Sequence, residues 1–146
     1  LQLLTTPAEL VQPSRDGRFL AYEDRKGGEN QWRKHHTSSV ARDVWIYDVR
    51  AGTHRQLTTF AGEDRNPVWA PDDRALLYLS EASGTLNVHR VGVDGGAPQQ
   101  LTRFAGAPVR FLSSATDGTL AFSQDGQLYT MKPGAQPVRL TVTIAT

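Results

Sequence analysis

One dipeptide limits what this chain can fold into more than any other feature. Leu-Thr stands at Leu4-Thr5, Leu57-Thr58, Leu101-Thr102 and Leu140-Thr141, with spacings of 53, 44 and 39 residues. Each of the last three copies closes the same series of signals. An apolar triplet ending in an aromatic comes first: Leu20-Ala21-Tyr22, Leu76-Leu77-Tyr78 and Leu120-Ala121-Phe122. A turn precedes each triplet, at Asp16-Gly17, Asp72-Asp73 and Asp117-Gly118. A further apolar run follows, at Val44–Tyr47, Val88–Val91 and Leu128–Met131, and then glycine (Gly52, Gly95-Gly96, Gly134) turns the chain into the Leu-Thr segment. A period of this length marks a repeat architecture in which each unit is one supersecondary element.

Each unit reads as four short strands and three turns. Pro71 presets the backbone of a turn, and Asp and Gly suit its other positions. The runs at 44–47 and 75–79 carry apolar residues on both faces, as expected of sheets packed between neighbours rather than solvated on one side. Helix signals are nearly absent; only Pro7-Ala8-Glu9-Leu10 suggests a single turn. The fold class is therefore all-β. The units are β-propeller blades, four-stranded antiparallel sheets of roughly 40 to 50 residues each. The blades are expected at 7–58, 67–102 and 108–141, with 1–6 as the last strand of a preceding blade. About three blades plus one strand do not close a ring, which takes about four to eight. The chain, beginning at Leu1, is expected to be a piece of something longer, with its missing blades supplied by the same protein or by a second copy as a homo-oligomer.

Charge and composition exclude several functions. Sixteen Lys and Arg stand against fifteen Asp and Glu, with no basic run, so nucleic acid is not an expected partner. No apolar stretch approaches bilayer length. Without Cys there are no disulfides, thiolate metal sites or cysteine nucleophiles. No G-x-S-x-G, H-E-x-x-H, Walker or G-x-G-x-x-G string occurs, so neither catalytic residues nor cofactors are assigned.

The string "NPVWAPDDRALLYLS…GTLNVHRV…GGAPQQLT" resembles the Pro-Asp-Gly propeller repeats of the TolB and tricorn-protease type. "WRKHHTSSVARDVWIYDVRAGTHRQLTTFAGEDRNPVWAPDD" is similar to the later blades of the six-bladed propeller in bacterial tricorn-like serine peptidases, relatives of the carboxyl-terminal processing proteases. Three turns depart from the pattern: Pro13-Ser14-Arg15-Asp16-Gly17, Asp73 in place of Gly, and "FLSSATDGTLAF" without Trp and Pro. The resemblance implies a non-catalytic segment that steers peptides or unfolded polypeptide toward a protease core elsewhere in the same chain. A periplasmic or exported setting goes with it. Two alternatives stay open: a TolB-like module that binds protein partners, and the propeller of a prolyl-oligopeptidase or dipeptidyl-peptidase relative.

The first unit is the longest. Tyr22 lies 22 residues before Val44, while Tyr78 lies 10 before Val88, so an inserted loop occupies 23–42. Long loops on rigid scaffolds often bind partners. His35 and His36 are candidate contacts there. Adjacent His without a convergent third ligand do not make a metal site, and anchoring by Trp32 with hydrogen bonds from Thr37, Ser38 and Ser39 is the plainer reading. Gly62–Asn66 joins two units; its charges suit ion pairs between blades, and Arg65 is the candidate that could attract a peptide carboxylate. His54 is expected in a turn. His89, at the strand position of Trp45 and Tyr129, is expected to be packed, and Trp45 and Trp69 to be core.

Overall fold

The computed structural model describes residues 8–24 and 41–145. Among the described residues, twelve strands form three antiparallel sheets in strict chain order. The first holds β1 (Ala8–Pro13), β2 (Phe19–Asp24), β3 (Val44–Asp48) and β4 (Thr53–Gln56). The second holds β5 (Asp64–Trp69), β6 (Ala75–Ser80), β7 (Asn87–Gly92) and β8 (Gly95–Gln100). The third holds β9 (Val109–Ser114), β10 (Leu120–Gln124), β11 (Gln127–Met131) and β12 (Val138–Arg139). These are propeller blades. The first strands of neighbouring sheets, β1 with β5 and β5 with β9, touch one another, so the sheets fan out from their leading strands. Among the described residues, no helix is long and apolar enough to cross a membrane.

The repeated dipeptides have physical jobs. The carboxylates of Asp16, Asp72 and Asp117 accept the amides of Arg18, Arg74 and Thr119 at 3.0, 3.0 and 2.9 Å, closing the same Asx turn three times. Asp73 departs from the Gly pattern despite a φ of 57°, and its carboxylate accepts the amides of Arg15 and Asp16 in the neighbouring sheet's turn. In the next turn Gly118 sits against Pro71, so closely that a Cβ would come 2.6 Å from the Pro71 ring. Thr58 and Thr102, which follow their last strands rather than lying in them, accept the amides of Val44 and Val88 at 3.0 and 2.9 Å. The Leu-Thr signal thus marks a side-chain clasp on the third strand.

Burial follows the stacking. β6, in the middle sheet, is buried at every residue because both of its faces are covered. One core joins it to the first sheet through Ala21, Val44, Ile46, Trp69, Leu76 and Tyr78. Another joins it to the third through Leu77, Leu79, Val88, Val109, Leu120 and Phe122. β10 alternates instead, with Leu120 and Phe122 inside and Ala121 exposed. The paired residues Leu128 and Leu140, with Val138, leave the third sheet's far face 49, 42 and 61% exposed.

Three local expectations are corrected. Ala8–Leu10 opens a strand, not a turn, because β1 pairs with β2 from Ala8 onward. The second sheet begins at Asp64, where pairing with Ser80 starts, rather than at 67. His54 lies in β4, exposed, its Nδ1 2.9 Å from the Tyr22 hydroxyl and its ring 4.6 Å from that of Tyr47. His89 is 4% exposed and Trp69 8%, both packed. Trp45 is only half-buried, its indole donating to Asp24 at 3.3 Å.

Candidate functional site on the converging strands

Each leading strand breaks its register at a bulge, and each bulge is centred on a residue with left-handed backbone: Leu10 at φ 48°, Asn66 at 55° and Phe111 at 57°. A bulge re-aims side chains and ends regular pairing. Leu and Phe rarely adopt this conformation, whereas Asn tolerates it. The residues just before the bulges are Glu9, Arg65 and Arg110. Leu10, Arg65, Asn66, Arg110 and Phe111 line one cleft of about 350 Å³.

The two arginines are near enough to feel each other. Burial, and then the charge of Arg65, hold the Arg110 guanidinium below its ordinary range. Arg65 also lies 3.8 Å from Glu63. Beside the arginines stand Leu10 and Phe111, 47 and 70% exposed. A concave site with paired guanidinium groups and an apolar wall suits an anionic group on an apolar body, such as a carboxylate.

A polar network fixes the floor. Arg42 is surrounded by Glu63 at 3.0 Å, Glu23 at 3.3 Å and Glu9 at 3.5 Å, so one cation ties together β1, β2 and the approach to β5. Burial works to lower the Arg42 pKa, but Glu63, Glu23 and Glu9 outweigh it and raise it. Glu23 is 1% exposed, and burial lifts its carboxyl above the usual range against the pull of the Asn66 amide, Arg65 and Arg42. The Asn66 amide donates to Glu23 at 2.7 Å, and its side chain clamps the Leu112 backbone, accepting from the N–H at 3.0 Å and donating to the C=O at 2.9 Å. Three sheets are bonded through this one bulge residue.

Of the residues singled out in the sequence, Arg65 lies in the cleft, while His35 and His36 fall outside the described residues. Arg110 and Arg42 were not singled out, and Asn66 was read only as part of the segment that joins two units. Arg110 follows no repeat signature, and its place beside Arg65 depends on the bulges. Residues 41–43 and 62–66, both within the quoted tricorn-like string, are brought together by the fold: Arg42 pairs with Glu63, and its carbonyl accepts the Asp64 amide at 3.0 Å.

The comparisons agree with this architecture. The chain is 32% identical over 71 residues to the Tol-Pal system protein TolB of Wolinella succinogenes, covering 49% of this chain and 16% of that one. Its fold is similar to that of the tricorn protease, with a TM-score of 0.78 at 19% identity over 96% of this chain and 13% of the other. It is also similar to a puromycin-hydrolyzing peptidase of Mycobacterium tuberculosis, with a TM-score of 0.76 at 22% identity over 97% of this chain and 23% of the other. The chain therefore spans less than a quarter of each of these proteins. Residues 2–137 match the family described as the tricorn protease N-terminal beta propeller domain, and the chain belongs to that family.

Proposed function

We propose that this chain is the non-catalytic propeller segment of a tricorn-like serine peptidase and that it steers peptide substrates toward a protease core. The observation that carries this reading is the cleft on the converging strands, where Arg65 and Arg110 face one space beside Leu10 and Phe111. Guanidinium pairs hold carboxylates through charge-assisted hydrogen bonds. The apolar wall adds affinity for the side chain beside the carboxylate. In this reading each sheet is one blade and 1–6 is the last strand of a preceding blade. Further blades of the same protein cover the exposed face of the third sheet, and pairing of two copies is the alternative. The 23–42 loop, with His35 and His36, contacts substrate or a neighbouring domain. An exported location goes with the assignment.

The second reading, a TolB-like module that binds only protein partners, is favoured by the identity to TolB over 71 residues. Fluorescence anisotropy with a labelled apolar hexapeptide separates the two. Binding should be at least tenfold tighter with a free C-terminal carboxylate than with an amide, should weaken with salt, and should be lost in Arg110→Gln. Equal binding of acid and amide would remove the steering role.

A further inference from the structure

A second cleft, of about 480 Å³, opens between the first and second sheets, away from the arginines. Its polar floor is Asp64, Ser80, Tyr78 and His89, and Leu57, Phe60 and Pro98 supply apolar walls. Asp64 is 1% exposed, and its Oδ1 has no hydrogen-bond partner. A buried carboxylate oxygen left unpaired is costly, so an occupant that donates to it gains strongly. Ser80 and Thr58 hydroxyls serve the carboxyl, but burial dominates and pushes it up to about 7, with Asp43 and Glu63 adding repulsion. Burial also pushes Tyr78 up and His89 down, so both are neutral at pH 7, and Tyr78 meets the His89 ring edge-on at 6.0 Å. Asp64 is therefore the group in this floor that can carry charge.

The second junction shows what the first leaves unfilled. Phe60 and Phe104 occupy the same place in "LTTFAG" and "LTRFAG". The Phe104 ring packs against Phe122 at 6.1 Å and Tyr129 at 5.2 Å. Phe60 instead folds back over Gly62, where an added Cβ would meet its ring at 2.4 Å, and remains 39% exposed. The aromatic ring that fills one junction stands at the mouth of the other.

We propose that this cleft binds an arylalkyl ammonium, its ring taking the position that Phe104 holds in the neighbouring junction and its ammonium donating to Asp64. Phe60 closes over the ring. The site does not depend on the arginine cleft, so either assignment can fail alone.

The test is NMR titration of the protein at pH 8 with phenethylammonium chloride, its neutral isostere 2-phenylethanol, and phenylalanyl-glycinamide. Saturable shifts at the amides of Ala82, Gly96 and Gln100 are expected for phenethylammonium, with at least tenfold weaker binding of the alcohol. The peptide amide shows whether an amino terminus enters by the same chemistry as a free amine; either result keeps the site. Asp64→Asn should cost at least tenfold and Phe60→Ala several-fold. Affinity should fall as pH drops below about 7, where Asp64 takes up a proton among Asp43, Glu63, Tyr78 and His89. Absent or non-saturating shifts, or equal affinity for the alcohol or in Asp64→Asn, would overturn the proposal.

Discussion

The two junctions between sheets share a frame and differ in what fills it. Both have a Thr hydroxyl clasping the third strand, and both have a bulge on the leading strand. At the first junction, β5 opens with Asp64 facing Ser80; at the second, β9 opens with Val109 facing Gln124. Both also have an apolar core; the first adds the ion pairs of Arg42 with Glu23 and Glu63, and the second adds the rings of Phe104, Phe122 and Tyr129. Glu23 and Arg42 hold the positions in the first sheet that Leu79 and Leu86 hold in the second, so an ion-pair network and apolar packing serve the same architectural position. The polar solution leaves a buried Asp64 oxygen unpaired beside an open cleft, whereas at the second junction Phe104 packs over the corresponding rings.

The largest expected effects come from removing one anchor at each junction. Arg42→Met leaves Glu23 buried without its cation and should cost about 3–5 kcal/mol near pH 7. That cost should shrink in acid, where Glu23, with its raised pKa, is protonated. Phe122→Ala should cost a similar ~3–5 kcal/mol through the cavity it leaves, with little pH dependence. Urea midpoints at pH 4.5 and 7.5 check both, and equal pH dependence would break the contrast.

Asp64→Asn should act in the opposite sense. A carboxyl raised to about 7 when folded, from an ordinary value near 3.8, binds its proton more tightly in the native state. Wild-type stability should therefore fall as pH rises from about 4 to 7 and then level off. The variant escapes this loss, so it should match wild type near pH 4 and exceed it by on the order of 2–4 kcal/mol at pH 8. Thermal melts across that range give the sign directly.

Asn66 joins the two junctions and sharpens the comparison. Asn66→Ala should cost about 2–3 kcal/mol, because the Leu112 N–H and C=O lose their partners and Ala is strained at φ 55°. Asn66→Gly relieves the backbone but not the clamp, and should recover roughly 1 kcal/mol of that loss in urea unfolding. Full recovery would mean that the clamp contributes nothing.

The frame was legible in the sequence and the fillings were not, for physical reasons. Asp-x turns and Leu-Thr clasps are local and recur with fixed partners, so the period reveals them. "LTTFAG" and "LTRFAG" are nearly identical, yet their phenylalanines point differently. Six residues separate Phe60 from the bulge at Asn66 and seven separate Phe104 from the bulge at Phe111. That one residue changes which side chain begins the next strand, an effect invisible without the register. Leu10 and Phe111 gave no warning of left-handed backbone, since their side chains disfavour it. Arg65 could be picked out as a charge at a junction, but its neighbour Arg110 could not.

Strand-resolved native-state hydrogen exchange tests most directly whether these sheets stand side by side, each covered by its neighbours. The amides of β6 and β7, in the sheet covered on both faces, should exchange slowest, and those of β11 and β12, whose far face is open, at least about tenfold faster. Equal protection of the third sheet and the middle one would contradict the stacked arrangement.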